Sequence, residues 1–281
     1  MVKRKKKPTE QSLEQSTEWS RRLGRISSVV AAWRERAENP VPVEDGSSLA
    51  VDAMDGLTVE SSIWYSMCIS SEHLDFALDA MRATGTMYPT AYMTVTRTAF
   101  VAAVNAVWLL AGKSRQERRE RALKLRADEI RIQIVALREM TIPDGKPDAA
   151  RNELIGQLRE RQTTLQEAAA LIGVDEDVTK MRFNQTKAID WVAKHMHGLA
   201  DPLLIGATQS IWRSGSAAAH AQMQFGIMRM SQNEVVTDVA GGRIMQLRGN
   251  LETDVGPAIV GATLTLNEAF RLYDLRRAKQ I

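Results

Sequence analysis

Long segments with helical periodicity, separated by proline and glycine, run through most of this 281-residue chain. Apolar residues recur in them at spacings of three and four, the period of an α-helix with one buried side. Strand and helix patterns do not alternate, which argues against a parallel sheet. The sequence therefore predicts a mainly α fold: a helical bundle with a protruding antiparallel helical hairpin and a small C-terminal β-hairpin.

The predicted helices are bounded by residues that start and stop helices. Asn39-Pro40 ends the first, Gly85 ends the second, and Pro89 opens a third that is apolar nearly all round. A helix of that composition belongs at the centre of a bundle. The helical segments cover residues 13–38, 58–84, 89–112, 178–197, a stretch from 202 onward, and 257–281.

Two hairpins interrupt this series. Residues 114–173 form a charged helix, a turn at 142–150 with two prolines and Asp-Gly, and a second helix with Leu154, Leu158, Leu165 and Leu171 near heptad spacing. They predict an antiparallel helical hairpin whose charges face solvent, or in a minority interpretation contact RNA or a second copy. Residues 228–239 and 242–249, joined through Ala240-Gly241-Gly242, predict the β-hairpin.

The chain divides into three predicted regions: a disordered basic tail at 1–11, an N-terminal helix and linker at 12–56, and the main helical domain at 57–281 with the hairpin 114–173 inserted. The tail carries five consecutive basic residues, enough to displace counterions from phosphates. Those candidate nucleic-acid contacts are Lys3, Arg4, Lys5, Lys6 and Lys7. A solubilising tail without a dedicated partner is an equal alternative.

Composition excludes several classes of protein. Cys68 is the only cysteine, so an intrachain disulfide and a cysteine-based zinc cage are both impossible. His195 and His197 fall on different sides of a helix, and glycine-rich phosphate loops and metalloprotease motifs are absent, so we expect no metal and no cofactor. The charged N-terminus is not followed by an apolar stretch, which predicts a soluble cytoplasmic protein without a membrane segment.

The segment WRSGSAAAH, residues 212–220, carries the strongest chemical signal. Arg213 and His220 are seven positions apart, so on a helix both project from one side, about 10 Å apart along the axis, with Ser216 between them. Arginine is a permanent cation suited to phosphate, and histidine can move a proton near neutral pH. The same spacing also arises by chance, and small residues are equally what close helix packing requires.

An aromatic-Arg-x-x-Ser-x-x-x-His segment resembles the Arg-x4–6-His motif of HEPN-type helical domains. The stretch from Glu72 to Leu125 is also similar to uncharacterised bacterial proteins of that type. Many members of the family are metal-independent ribonucleases in toxin–antitoxin and phage-defence systems, and others are non-catalytic binding or dimerisation modules. The resemblance implicates Arg213 and His220 as catalytic, with Ser216 and Arg97 supporting. Ser214 and Val101 depart from the family pattern.

Two functions follow from the resemblance. The first is a dimeric endoribonuclease that acts on RNA, with an antitoxin or defence-complex partner. The second is a non-catalytic nucleic-acid-binding or assembly module. A weaker third alternative is a hydrolase built on Asp75 and Asp79, which lie one helical turn apart beside His73.

Overall fold

The described part of the chain contains nine α-helices and two short strands. The computed structural model describes residues 10–140, 148–196, 202–228, 235–237, 243–245 and 250–279. The prediction of a mainly helical bundle is confirmed. The helices are α1 (Glu10–Glu38), α2 (Val59–Thr84), α3 (Pro89–Leu110), α4 (Arg115–Glu139), α5 (Ala149–Leu171), α6 (Gln185–His195), α7 (Pro202–Ala219), α8 (Met223–Met228) and α9 (Gly256–Arg277).

Helix α3 lies at the centre of the bundle, in contact with α2, α6, α7 and α9. Its span Thr90–Leu110 is long and apolar enough to cross a membrane, with a mean hydropathy of 1.4, and 61% of the stretch is buried inside the protein. Burial among neighbouring helices accounts for this composition, because an all-round apolar helix must be covered on every side.

Helix α1 is fastened to α9. The Trp33 ring stacks on Phe270 at a centroid distance of 5.4 Å, and Arg36 Nη2 lies 2.7 Å from Asp274 Oδ1. Val30 and Trp33 belong to the same buried cluster as the central helices. Residues before position 57 therefore contribute to the common core, while the predicted division of the chain at that position stays a prediction.

Several helix boundaries follow the local signals in the sequence. Gly85 ends α2 with a left-handed φ of 58°, and the Ser114 hydroxyl caps α4 by accepting a hydrogen bond from Glu117 N.

Helix α6 is shorter than predicted: it spans Gln185–His195 instead of 178–197. The Asn184 side chain accepts from Lys187 N and so starts the helix seven residues later than apolar periodicity indicates.

Helices α4 and α5 run antiparallel, as the prediction of a helical hairpin requires. Gln116 Nε2 donates to Ile172 O at 2.6 Å, and Arg151 Nη1 donates to Met140 O at 3.3 Å, so the start of each helix meets the end of the other. The predicted leucine seam is only half right. Leu158 and Leu165 are buried, whereas Leu154 and Leu171 are 48% and 76% exposed.

A buried ion pair joins the hairpin to the linker before α2. Asp52 is fully buried, and its Oδ1 accepts a hydrogen bond from Arg118 Nη2 at 2.7 Å. Arg118 also donates to Gly112 O and to the Ser48 hydroxyl. Its neighbour Arg119 donates to backbone carbonyls of the 3-10 turn Ala50–Asp52. The sequence predicts an ordinary loop in this linker. Hydrogen bonds from Arg118 and Arg119 hold it against α4.

Two elements of the prediction fall largely outside the described residues. Val235–Thr237 and Arg243–Met245 pair antiparallel, with Val236 opposite Ile244. The turn between them and the remaining strand residues are not described, so the complete β-hairpin stays a prediction. The basic tail residues Lys3, Arg4, Lys5, Lys6 and Lys7 also lie outside the described residues, and α1 begins at Glu10, inside the segment assigned to that tail.

Candidate active site

Helix α7 packs closely on α3 at Gly215. A Cβ atom at Gly215 would lie 2.5 Å from Arg97 Cβ and 3.0 Å from Met93 O. Only a residue without a side chain allows this approach. Close packing is therefore a sufficient reason for the glycine within the WRSGSAAAH segment.

Replacing Gly215 with alanine is expected to destabilise the protein by about 1–3 kcal/mol, because the new methyl group must displace the α3 backbone or the base of Arg97. Gly206 on the same helix is the matched control: a Cβ there meets no atom within 4 Å. Gly206→Ala should raise the free energy of unfolding by about 0.5–1 kcal/mol. Urea denaturation of both variants measures the difference, and equal stabilities would contradict the close α3–α7 contact.

Arg213 and His220 are both exposed to solvent. Within the described residues, neither side chain forms a hydrogen bond, an ion pair or a ring contact, so guanidinium and imidazole are both available to a ligand. Ser216 lies half-buried between them. The structure thus places the two groups on an accessible side of α7.

His220 lies at the end of α7. Its backbone N–H donates to Ser216 O at 3.0 Å, and Gln222 N then donates back to Ala217 O at 2.9 Å. Ala221 closes this turn with a left-handed φ of 51°. The imidazole therefore projects from a tightly turned helix end, just beyond the last helical residue Ala219.

Arg97 occupies a different environment. Its guanidinium lies over the Trp212 ring, 4.4 Å from the centroid, and its Nε is buried without a hydrogen-bond partner among the described residues. Burial lowers the pKa of the Arg97 guanidinium. No described hydrogen bond, ion pair or ring contact joins it to Arg213 or His220. Arg97 packs the α3–α7 contact, and its supporting role in a site stays a prediction.

Gln209, one turn before Arg213 on α7, is hydrogen-bonded to an acid on α6. Gln209 Nε2 donates to Asp190 Oδ1 at 3.0 Å, and Lys194 Nζ donates to Asp190 Oδ2 at 2.6 Å. The Lys194 hydrogen bond holds the pKa of Asp190 below its ordinary value. Gln209 and Arg213 are four residues apart and share a side of α7. The carboxylate that Gln209 contacts is thus already paired with Lys194.

The described residues contain no group of three or more histidine, cysteine, aspartate or glutamate side chains placed to hold a metal ion. The two acids of the alternative hydrolase site are engaged in ion pairs: Asp79 with Arg82 at 2.7 Å and Asp75 with Arg34 at 3.8 Å.

Cys68 is half-buried. Burial raises the pKa of its thiol, which favours the neutral form.

Comparison of the chain with family models, curated proteins and solved structures finds no match. The resemblance to HEPN-type domains therefore rests on the Arg213–His220 motif and the preceding sequence.

Sequence reasoning missed the residues that surround this motif. No role was predicted for Gln209 or Asp190, although the four-residue steps from Gln209 to Arg213 and from Asp190 to Lys194 can be read in the sequence. The Arg97–Trp212 contact joins residues far apart in sequence, and no local pattern indicates it.

Proposed function

We propose that this protein is a metal-independent endoribonuclease of the HEPN type, acting in phage defence or toxin–antitoxin growth control. The observation that carries the proposal is the exposure of Arg213 and His220, unpaired within the described residues, at the end of one helix. Its substrate is RNA in the cytoplasm. Its partners are a second copy of the chain and an antitoxin or defence-complex protein.

The chemistry needs no metal ion, and Arg213 and His220 carry its first step. His220 removes the proton from a ribose 2′-hydroxyl, and the oxygen attacks the adjacent phosphorus. Arg213 stabilises the negative charge of the phosphorane. The bond to the 5′-oxygen breaks, that oxygen receives a proton, and the products are a 2′,3′-cyclic phosphate and a 5′-hydroxyl end.

One Arg–His pair supplies one proton-transfer group, whereas the reaction uses two: one to remove a proton and one to deliver it. A second copy of the same α7 surface supplies the other imidazole. We therefore place the site across a dimer, with the exposed side of α7 facing its symmetry mate.

The wild-type protein is expected to cleave single-stranded RNA in excess chelator, since no step uses a metal ion. RNA with 2′-O-methyl groups at every position should remain intact, because the attacking hydroxyl is blocked. Gel analysis of the products and their end groups measures both results. Cleavage that requires added Mg²⁺, or that persists on the methylated RNA, would overturn the mechanism.

The second candidate is a non-catalytic nucleic-acid-binding or assembly module. The Gly215 contact favours this module, because close packing of α7 on α3 alone explains the glycine between Arg213 and His220. In that case the protein binds methylated and unmethylated RNA equally and cleaves neither. Fluorescence anisotropy with both RNAs, beside the cleavage assay, separates the two functions.

A further inference from the structure

A cavity of about 440 Å³ lies between α3, α6, α7 and α9. This volume falls in the range of small-molecule sites. Its wall is mainly apolar and includes Met93, Phe100, Ile211 and Leu264. The motif residues Arg213 and His220 are not part of this wall, so the cavity is separate from the proposed active site.

Small residues on the facing helices create this space. Ala207 and Ser210 of α7 face Ala258 and Gly261 of α9 across it. The two helices touch where Ile211 meets Gly261: a Cβ at Gly261 would lie 2.5 Å from Ile211 Cδ1. This contact sets the separation of α7 and α9, and the short side chains beside it leave room that the described residues do not fill.

Five hydroxyl side chains contribute to the polar part of the wall: those of Thr208, Ser210, Ser214, Thr253 and Thr265. Ser210 and Ser214 lie one turn apart on α7, and both line the wall. Serines within helices commonly donate to the carbonyl four residues earlier, but neither side chain has a hydrogen-bond partner among the described residues. Asp254 also lines the wall and already interacts within the protein. The wall can therefore form hydrogen bonds with a ligand through its hydroxyl groups, and the ligand need not carry a charge.

We propose that this cavity binds a neutral, mainly apolar small molecule that carries one or two hydrogen-bonding groups. A strongly charged ligand would lose its hydration on entering the cavity, and contacts with the apolar wall would not offset that free-energy cost. Binding to the folded state alone also raises stability by mass action. The proposal does not depend on ribonuclease activity.

N-phenyl-1-naphthylamine is a suitable probe, since it is neutral, aromatic, has one N–H group and fluoresces strongly in apolar surroundings. The wild-type protein should bind it saturably, one molecule per chain. Ser214→Leu and Ser210→Leu each place a larger apolar side chain in the cavity and remove a hydroxyl. Each should weaken probe affinity at least about tenfold, a loss of roughly 1.4 kcal/mol.

Ser61→Leu is the matched control, because Ser61 is exposed on α2, outside the cavity wall. It should bind the probe as the wild type does, as should His220→Ala. Circular dichroism confirms that each variant is folded, and Ser210, which is exposed, provides a second variant should Ser214→Leu not fold. No saturable binding by the wild type, or equal affinity in all folded variants, would overturn the proposal.

Discussion

Replacing His220 with alanine is expected to slow RNA cleavage by about 10²–10⁴-fold, the usual contribution of a positioned general acid or base. The imidazole is exposed and makes no side-chain contact within the described residues, so its loss should change stability by less than about 0.5 kcal/mol. A large rate effect without a stability effect is the signature of a chemical role. Single-turnover cleavage rates and thermal unfolding of the same samples measure the two quantities.

His195→Ala is the matched control for this prediction. His195 is also exposed and lies near a helix end, but its ring stacks on Trp191 and its Nδ1 donates to Trp191 O at 2.7 Å. Cleavage by this variant should equal that of the wild type. Arg213→Ala should lose activity comparably to His220→Ala, with the exposed Arg159→Ala as its control. If His220→Ala retains full activity, the α7 mechanism fails.

Replacing Asp52 with alanine is expected to lower the free energy of unfolding by about 3–5 kcal/mol. Asp52 is fully buried and Arg118 is 5% exposed, so the substitution strands a cation in a low-dielectric interior. Arg276, whose pKa is lowered mainly by burial and also by the charge of Arg118, lies in the same network. Loss of the carboxylate therefore leaves the buried Arg118 and the half-buried Arg276 without this neutralising partner. Urea denaturation measures the effect.

Two further variants sharpen this test. Asp79→Ala removes an exposed partner of Arg82, in a pair whose side chains are 63% and 65% exposed, and should cost no more than about 1 kcal/mol. The double variant Asp52→Ala, Arg118→Met removes the stranded charge and should regain at least half of the lost stability. Equal losses in Asp52→Ala and Asp79→Ala would contradict the assignment of a buried ion pair.

The helices could be predicted because their signals are local. Gly85 ends α2 where a left-handed residue was expected, and Pro89 opens α3. The start of α6 was wrong because apolar periodicity continues through residues 178–184, whereas the Asn184 cap decides where the helix begins. In the hairpin, Ile155 is buried in place of Leu154, a shift of one residue that heptad spacing alone does not determine.

The candidate site could be predicted only in part. Spacing places Arg213 and His220 on one side of α7, but periodicity does not determine whether that side faces water or the core. Their exposure comes from how α3, α6 and α9 pack against the other sides of the helix. Asp52 and Arg118 lie 66 residues apart, and no periodic pattern in the sequence indicates a pairing over that distance.

The arrangement of α3 and α9 has a consequence for how this chain is made. Helix α3 is the apolar centre of the bundle, yet the last helix, which contributes Ile259, Leu266 and Phe270 to the core, is translated long after it. The side of α3 that α9 covers in the finished fold therefore stays exposed in the nascent chain until synthesis is nearly complete, and exposed apolar surface of this kind makes a chain vulnerable to aggregation.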